Sequence, residues 1–318
     1  MISFSLFGHR GMFGNQLFQY AFLRTQALRL GVQFYCPNWA GDELFDLKDQ
    51  KLRAPRAMGL IHKYSRPISA GTNHNDTNLQ DNTEIEGFLV GKDNFDKNAV
   101  HTWYVFKDEV VKRVGAKYAS IDFDTSVGVH VRLCDRLEDD FISKLFFTPR
   151  RSYYRKALKK VARFTTVLVF SDDIPKAKKY LKNLPYEFVF MEGNSFGDDL
   201  YLMTRCRDLI CGPSTFSWWG AFLNSHPDKI IIFPKEGEIR PHGPLKNTDL
   251  LFKEWITIPA LIPIVDSYPA VVMRHYITRP LFRLGRAYNK FVGKVGVYIR
   301  KKFPHLFMMI QRFSPGKK

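Results

Sequence analysis

The sequence predicts an α/β protein whose parallel sheets are doubly wound and lie in two successive domains. Three observations predict it. Short apolar runs alternate with helical patterns along most of the chain. The alternation opens with a strand, a glycine-rich turn, a helix and a second strand, the unit from which parallel sheets are built. It breaks near residue 120 and then resumes more regularly. The expected layout is one doubly wound domain over 1–122, a second over 123–262 and a basic tail over 263–318.

The elements follow in order. Ile2 to Phe7 is a short apolar run, and Gly8 and Gly11 come after it. Asn15 is placed to cap a helix running through Leu17, Phe18, Ala21, Ala27, Leu28 and Leu30, which Gly31 stops. Val32 to Cys36 is the next strand. Gly8, Gly11 and Gly14 do not spell the GxGxxG fingerprint, so alone they point only weakly to a nucleotide. Residues 40–82 read as polar and irregular. Glu84 to Val90 is a strand and 105–118 a helix. Beyond Asp122 the strands are Val127–Val131, Thr166–Phe170, Glu187–Met191, Asp208–Cys211 and Lys229–Phe233. The helices between them are Ser152–Phe164, Pro175–Leu184, Asp198–Arg205 and Phe216–Asn224. This repeated order predicts the doubly wound sheet.

Composition narrows the class. The chain is 45% hydrophobic and 25% charged, enough to fold around substantial cores. Its 28 Phe residues are first of all core residues. Cys36, Cys134, Cys206 and Cys211 fit no zinc spacing and no disulfide framework, so a reducing compartment is the simpler reading. No charged segment precedes an apolar run at the N-terminus, and no apolar stretch reaches bilayer length. A bacterial cytoplasm is therefore the expected location. The net charge is +17, and its distribution matters. From Asp266 to Lys318 there are twelve Lys or Arg and one acidic residue.

Open α/β sheets bind ligands beyond the carboxyl ends of their strands. Three polar clusters fall there. His130, Arg132 and Asp135 close the first strand of the second half. Ser171, Asp172 and Asp173 close the next. Ser214, Thr215 and Phe216 link Ile210 to a helix. Arg132 offers a fork for a phosphate. Ser214, Thr215 and the N–H groups opening the following helix form an anion cradle. Asp173 can accept from a purine edge or a ribose. Together the three describe a nucleoside diphosphate held by a cation and a helix N-terminus, groups that also stabilise a departing diphosphate. Each cluster also has a structural reading. Ser214 and Thr215 serve equally well as helix caps. Asp172, more than Asp173, suits the cap of the helix near Pro175. His130 reads as a hydrogen-bonded strand histidine, and Trp218 and Trp219 as core.

These residues carry a family resemblance. Gly11-Met-Phe-Gly14-Asn15-Gln16-Leu-Phe-Gln19-Tyr20-Ala21 resembles the GNQMFQYA-type motif of the α-1,2-fucosyltransferases, glycosyltransferase family 11. His130-Val-Arg132-Leu-Cys-Asp135 resembles that family's HxRRGD motif, shared more loosely with α-1,6- and protein O-fucosyltransferases. Phe170-Ser171-Asp172-Asp173 is similar to its FSDD element. Asp198-Asp199-Leu-Tyr-Leu-Met203-Thr-Arg-Cys206 with Ser214-Thr-Phe-Ser-Trp-Trp-Gly-Ala-Phe-Leu-Asn224 resembles its DxxLMSxC…STFSWWGAWLN block, the most specific of these signals. Pro234 and Trp255 fall at its late Pro and Trp, and Glu86 to Phe95 is similar to its GYxQSxxYF segment. The resemblance covers residues 3–258.

The resemblance implies a GT-B fold, with two Rossmann-like domains facing a cleft. It implies GDP-fucose as donor, a galactose-containing glycan as acceptor, inversion at the anomeric carbon and no metal or other cofactor. Arg132 would bind the diphosphate. Ser214, Thr215 and Phe216 would contact the phosphates, and Asp173, beside Ser171, the guanosine. Gly14, Asn15 and Gln16 would line the cleft from the first domain. His130, Asp135 and His9 are the candidate bases, and none is assigned. Asp135 has a second reading, as the ion-pair partner that fixes Arg132. The chain departs from the motif at Leu133 and Cys134, where the family has Arg and Gly. A lost phosphate cation would weaken donor binding by ~1–3 kcal/mol. An inactive GDP-sugar-binding or glycan-binding relative and a transferase of another GDP-sugar are the alternatives.

The tail lies outside the resemblance. Arg274, Arg279, Arg283, Arg286, Lys290 and Lys294 alternate with bulky apolar residues at roughly helical spacing, which reads as an interfacial helix on an anionic membrane surface. A helix docked on the first domain is the plainer reading. No nucleic-acid-binding motif accompanies the charge, so nucleic acid is not an expected partner.

Overall fold

The computed structural model describes residues 1–9, 11–52, 62–66, 79–133, 148–161, 164–235 and 247–260. The tail, Cys134 and Asp135 lie outside the described residues. Met1–Leu261 forms one compact unit.

The first sheet has four parallel strands: β1 (Ile2–Ser3), β2 (Phe34–Tyr35), β3 (His62–Arg66) and β4 (Thr83–Gly87), in the order β2-β1-β4-β3. β1 is shorter than its apolar run. Phe7 N–H turns back to the Phe4 carbonyl at 3.0 Å, and the Phe7 ring packs on Trp39. α1 (Phe13–Leu30) then begins two residues ahead of the expected Asn15 cap. Gly11 takes a left-handed φ of +83° and Met12 is extended, so the cap position is Met12, which bonds no first-turn N–H through its side chain. Gly31, at φ +64°, ends the helix as expected. The stretch read as irregular holds α2 (Ala40–Leu44) and β3, which is polar because it lies at the sheet edge. α3 (Lys97–Trp103) and α4 (Asp108–Lys117) complete this half.

The second sheet has six parallel strands: β5 (Ser126–Val131), β6 (Thr166–Ser171), β7 (Phe188–Phe190), β8 (Asp208–Ile210), β9 (Ile231–Pro234) and β10 (Ile256–Ile258). Their order is β10-β9-β8-β5-β6-β7. The helices are α5 (Arg151–Lys160), α6 (Ile174–Leu181), α7 (Phe196–Arg205), α8 (Thr215–Leu223) and the short α9 (Asn247–Leu250). The order reverses between β5 and β8, which makes that boundary the switch point of a doubly wound sheet. The expected α/β class with two parallel sheets is therefore what the chain adopts.

Strand alternation sorts the side chains of this sheet between two cores. Val127, Val129 and Val131 of β5 pack with Val167, Val169, Tyr153, Tyr154 and Ala177 on one face. Leu168, Phe170, Leu209 and Cys211 face the other way, into a core shared with the first half. There Phe18 of α1 packs on Trp218 and Trp219 of α8, with ring centroids 4.8 and 4.7 Å away, and Phe95 stacks on Trp219 at 5.3 Å. Both tryptophans are buried core residues.

Candidate active site

β5 and β6 run in register, with Val131 opposite Ser171. One more step brings Arg132 and Asp172 abreast, both on the face shared with Phe170. Asp172 Oδ2 lies 3.1 Å from Arg132 Nη1, and Asp172 Oδ1 accepts from Leu133 N–H at 2.8 Å. Arg132 is partly open, its side chain 22% exposed. Leu133 points the opposite way and is 1% exposed, packed with Val131 and Tyr154. In this chain position 133 therefore presents an apolar side chain to the core and no cation beside Arg132.

Ser171 and Asp173 sit at the same strand end. Ser171 Oγ donates to the Val131 carbonyl at 2.6 Å, tying the ends of β5 and β6 together. Asp173 is the cap of α6: its Oδ1 accepts from Lys176 N–H at 2.9 Å and its Oδ2 pairs with Lys176 Nζ at 3.0 Å. The sequence favours Asp172 over Asp173 for that cap. Asp173 takes it because strand alternation turns Asp172 toward Arg132 and leaves Asp173 at the helix start.

The third cluster opens α8. Ser214 caps it, its Oγ accepting from Phe216 N–H at 3.2 Å. Ser214 and Thr215 are both buried. The first turn of α1 lies against this end. A Cβ on Gly14 would stand 2.6 Å from Phe216 N and 2.7 Å from Thr215 Oγ1, so only glycine fits. Trp219 Nε1–H donates to the Gly14 carbonyl at 2.9 Å and locks the contact. Two helix N-termini thus meet here, each carrying partial positive charge and neither holding an acidic residue in its first turn. The His130 ring is 4% exposed; it lies 5.9 Å from the Phe216 ring, and the space beside Gly212 is filled by His130 Nδ1. Asn15 and Gln16 pack at the glycine turn, Asn15 against Gly11 and Gln16 against Gly8.

The structure therefore brings Gly14, Thr215, Phe216 and His130 into contact, and sets Arg132 two residues past His130 on the same face of β5. Asp172 stood in the sequence as a cap and not as the partner of Arg132. Gln19 carried no sequence assignment. It is fully buried, accepts from Gly8 N–H at 3.3 Å and donates to the Gly87 carbonyl at 2.9 Å, clamping the ends of β1 and β4, the switch point of the first sheet. Burial holds the Cys211 thiol, just past β8, well above its ordinary pKa, so it is no thiolate nucleophile. A cavity of about 210 Å³ lies elsewhere, lined by His101, Phe222, Lys229, Phe252, Glu254 and Trp255. None of the sequence-predicted site residues lines it.

The chain is similar to several known proteins. The Glycosyl transferase family 11 profile matches residues 82–259, more than half of the chain. Two curated Escherichia coli proteins are each 32% identical to segments of it. They are the O-antigen biosynthesis glycosyltransferase WbnK, over 116 residues, and an alpha-1,2-colitosyltransferase, over 139 residues. The aligned segments cover 35% and 42% of this chain and span 38% and 47% of those relatives. Among solved structures, POFUT1 in complex with GDP has a TM-score of 0.49 at 12% identity, covering 73% of this chain and 97% of that one. The fucosyltransferase NodZ from Bradyrhizobium has a TM-score of 0.46 at 16% identity, covering 70% and 92%. By the family profile and the motifs it spans, the chain belongs to glycosyl transferase family 11.

Proposed function

We propose that the chain transfers L-fucose from GDP-fucose to a hydroxyl, the 2-OH of galactose, of a glycan or lipid-linked oligosaccharide, with inversion and without a metal. The observation that carries this reading is Arg132 at the carboxyl end of β5, beside the switch point, in a chain of family 11. In this reading Arg132 binds the diphosphate and the facing ends of α1 and α8 add positive potential. Both stabilise the charge that grows on GDP as the glycosidic bond breaks. The acceptor hydroxyl attacks the anomeric carbon from the opposite side and its proton leaves to a base or to the departing phosphate. Ser214 supports the cradle as a cap: its Oγ accepts from Phe216 N–H and keeps its own O–H to offer a phosphate oxygen. Asp173 reaches guanosine only by sharing a carboxylate already bound to Lys176.

A second donor is favoured by one observation: one relative is named for colitosyl transfer. The test is GDP release from GDP-fucose, and from a panel of other GDP-sugars, with EDTA present, over galactoside and lipid-linked acceptors. Turnover that survives chelation and disappears in Arg132→Ala supports the reading. Turnover with another GDP-sugar alone moves the donor assignment. GDP binding without turnover points to an inactive relative, and absence of GDP binding sinks the reading.

A further inference from the structure

We propose that Asp172 is the positioning residue for Arg132, holding its guanidinium in the orientation that meets the donor diphosphate. The inference rests on the donor reading above and concerns how Arg132 is held at the end of β5.

Three consecutive residues at the end of β5 are held from the end of β6. Ser171 Oγ holds the Val131 carbonyl, Asp172 Oδ2 holds the Arg132 guanidinium, and Asp172 Oδ1 holds Leu133 N–H. The Leu133 side chain is sunk in the core, which fixes the backbone on the far side of Arg132. One carboxylate therefore sets both the origin of the arginine side chain and the direction of its head group. The pair is half-buried, with side-chain exposures of 22% for Arg132 and 16% for Asp172. It lies in a medium where a charged hydrogen bond keeps its geometry, yet the arginine stays reachable. A long cationic side chain left alone samples many rotamers. A cation that must meet charge developing on a leaving group acts only when its orientation is set beforehand.

The proposal makes a prediction of sign. A carboxylate beside an anionic ligand repels it, so a bystander Asp172 would weaken GDP binding and its removal would tighten it. A positioning Asp172 does the reverse. The experiment measures GDP affinity by calorimetry for the wild type, Asp172→Asn, Arg132→Ala and the double variant, with melting temperatures alongside. The Asn side chain still offers an acceptor to Leu133 N–H, which keeps the fold. The expected result is a GDP affinity lowered about 3- to 10-fold in Asp172→Asn, the size of a coupling between touching residues, with little change in melting temperature. In the Arg132→Ala background the same substitution leaves affinity unchanged or tightens it. Asp172→Glu, which restores the charge, recovers part of the loss. Tighter GDP binding by Asp172→Asn with Arg132 present overturns the proposal. So does a loss of affinity that persists without Arg132 or that follows a fall in melting temperature. A wild type that binds no GDP overturns the donor reading and this inference with it, a result distinct from the other two.

Discussion

Arg132 and Leu133 leave β5 on opposite faces, and that single alternation decides what each can touch. Arg132 turns to the face shared with the first half, Leu133 to the core beneath α5. Replacing Arg132 with alanine removes the cation of the candidate site. GDP affinity is expected to fall about 10- to 100-fold, from the ~1.5–3 kcal/mol of a charged hydrogen bond, as read by calorimetry. Gly14 is decided by space. Its neighbours Phe216 N and Thr215 Oγ1 stand where a Cβ would lie. Gly14→Ala is expected to destabilise the fold by ~1–3 kcal/mol through overpacking, measured by chemical denaturation.

Between elements, the most consequential contact is the packing of the first turns of α1 against those of α8. It rests on Gly14, on the Trp219 indole that donates to its carbonyl, and on Phe18 lodged against both tryptophans. Trp219→Phe keeps most of the ring and loses the N–H. Leaving the buried Gly14 carbonyl without that donor is expected to cost ~1–3 kcal/mol, seen as a lower denaturation midpoint. The elements read best from sequence were those with apolar runs buried on both faces, such as β5, β6 and β8. Those read poorly lacked such a signature. β3 is the polar edge segment His-Lys-Tyr-Ser-Arg, and α2 has five residues. The start of α1 was misread because a left-handed Gly11, and no side-chain cap, sets it.

Across the whole compact unit, α4 of the first half is tied to the β7–α7 turn of the second. Arg113 pairs with Asp198 at 2.7 Å. Lys117 Nζ and Tyr118 OH both donate to Asn194 Oδ1 at 2.7 Å, and Asn194 Nδ2–H donates to Asp199 at 2.9 Å. Burial is the main cause that pushes the Asp199 carboxyl up to about 7, with the Asn194 hydrogen bond acting against it. A raised carboxyl is protonated in the folded state and ionised in the unfolded chain between its ordinary value near 4 and about 7. The folded state binds more protons in that window, so stability falls as pH rises through it. Asp199→Asn mimics the protonated group. Its melting temperature is expected to exceed that of the wild type at pH 8, with the gap closing toward pH 4. A second prediction at this scale concerns the basic tail from Asp266, which holds twelve Lys or Arg. The chain is expected to co-sediment with anionic vesicles and to lose them at high salt, while neutral vesicles leave it in solution.

The sequence by itself determined which residues stand at strand ends, because apolar runs bounded by polar clusters report burial locally. His130, Arg132, Ser171, Asp172, Asp173 and Ser214 were all legible in this way, and so was the family. Only the tertiary structure decided what those residues face. The pairing of Arg132 with Asp172, the cap of α6 falling on Asp173, and the inward turn of Leu133 follow from the register of β5 against β6. Register is a relation between segments some 40 residues apart that no local pattern encodes. The same holds for Gly14 against Thr215. A glycine in a helix's first turn signals freedom of the backbone, and the helix that needs the space lies 205 residues further along the chain. Local chemistry is written residue by residue, and partnership is settled when the sheets close on a common core.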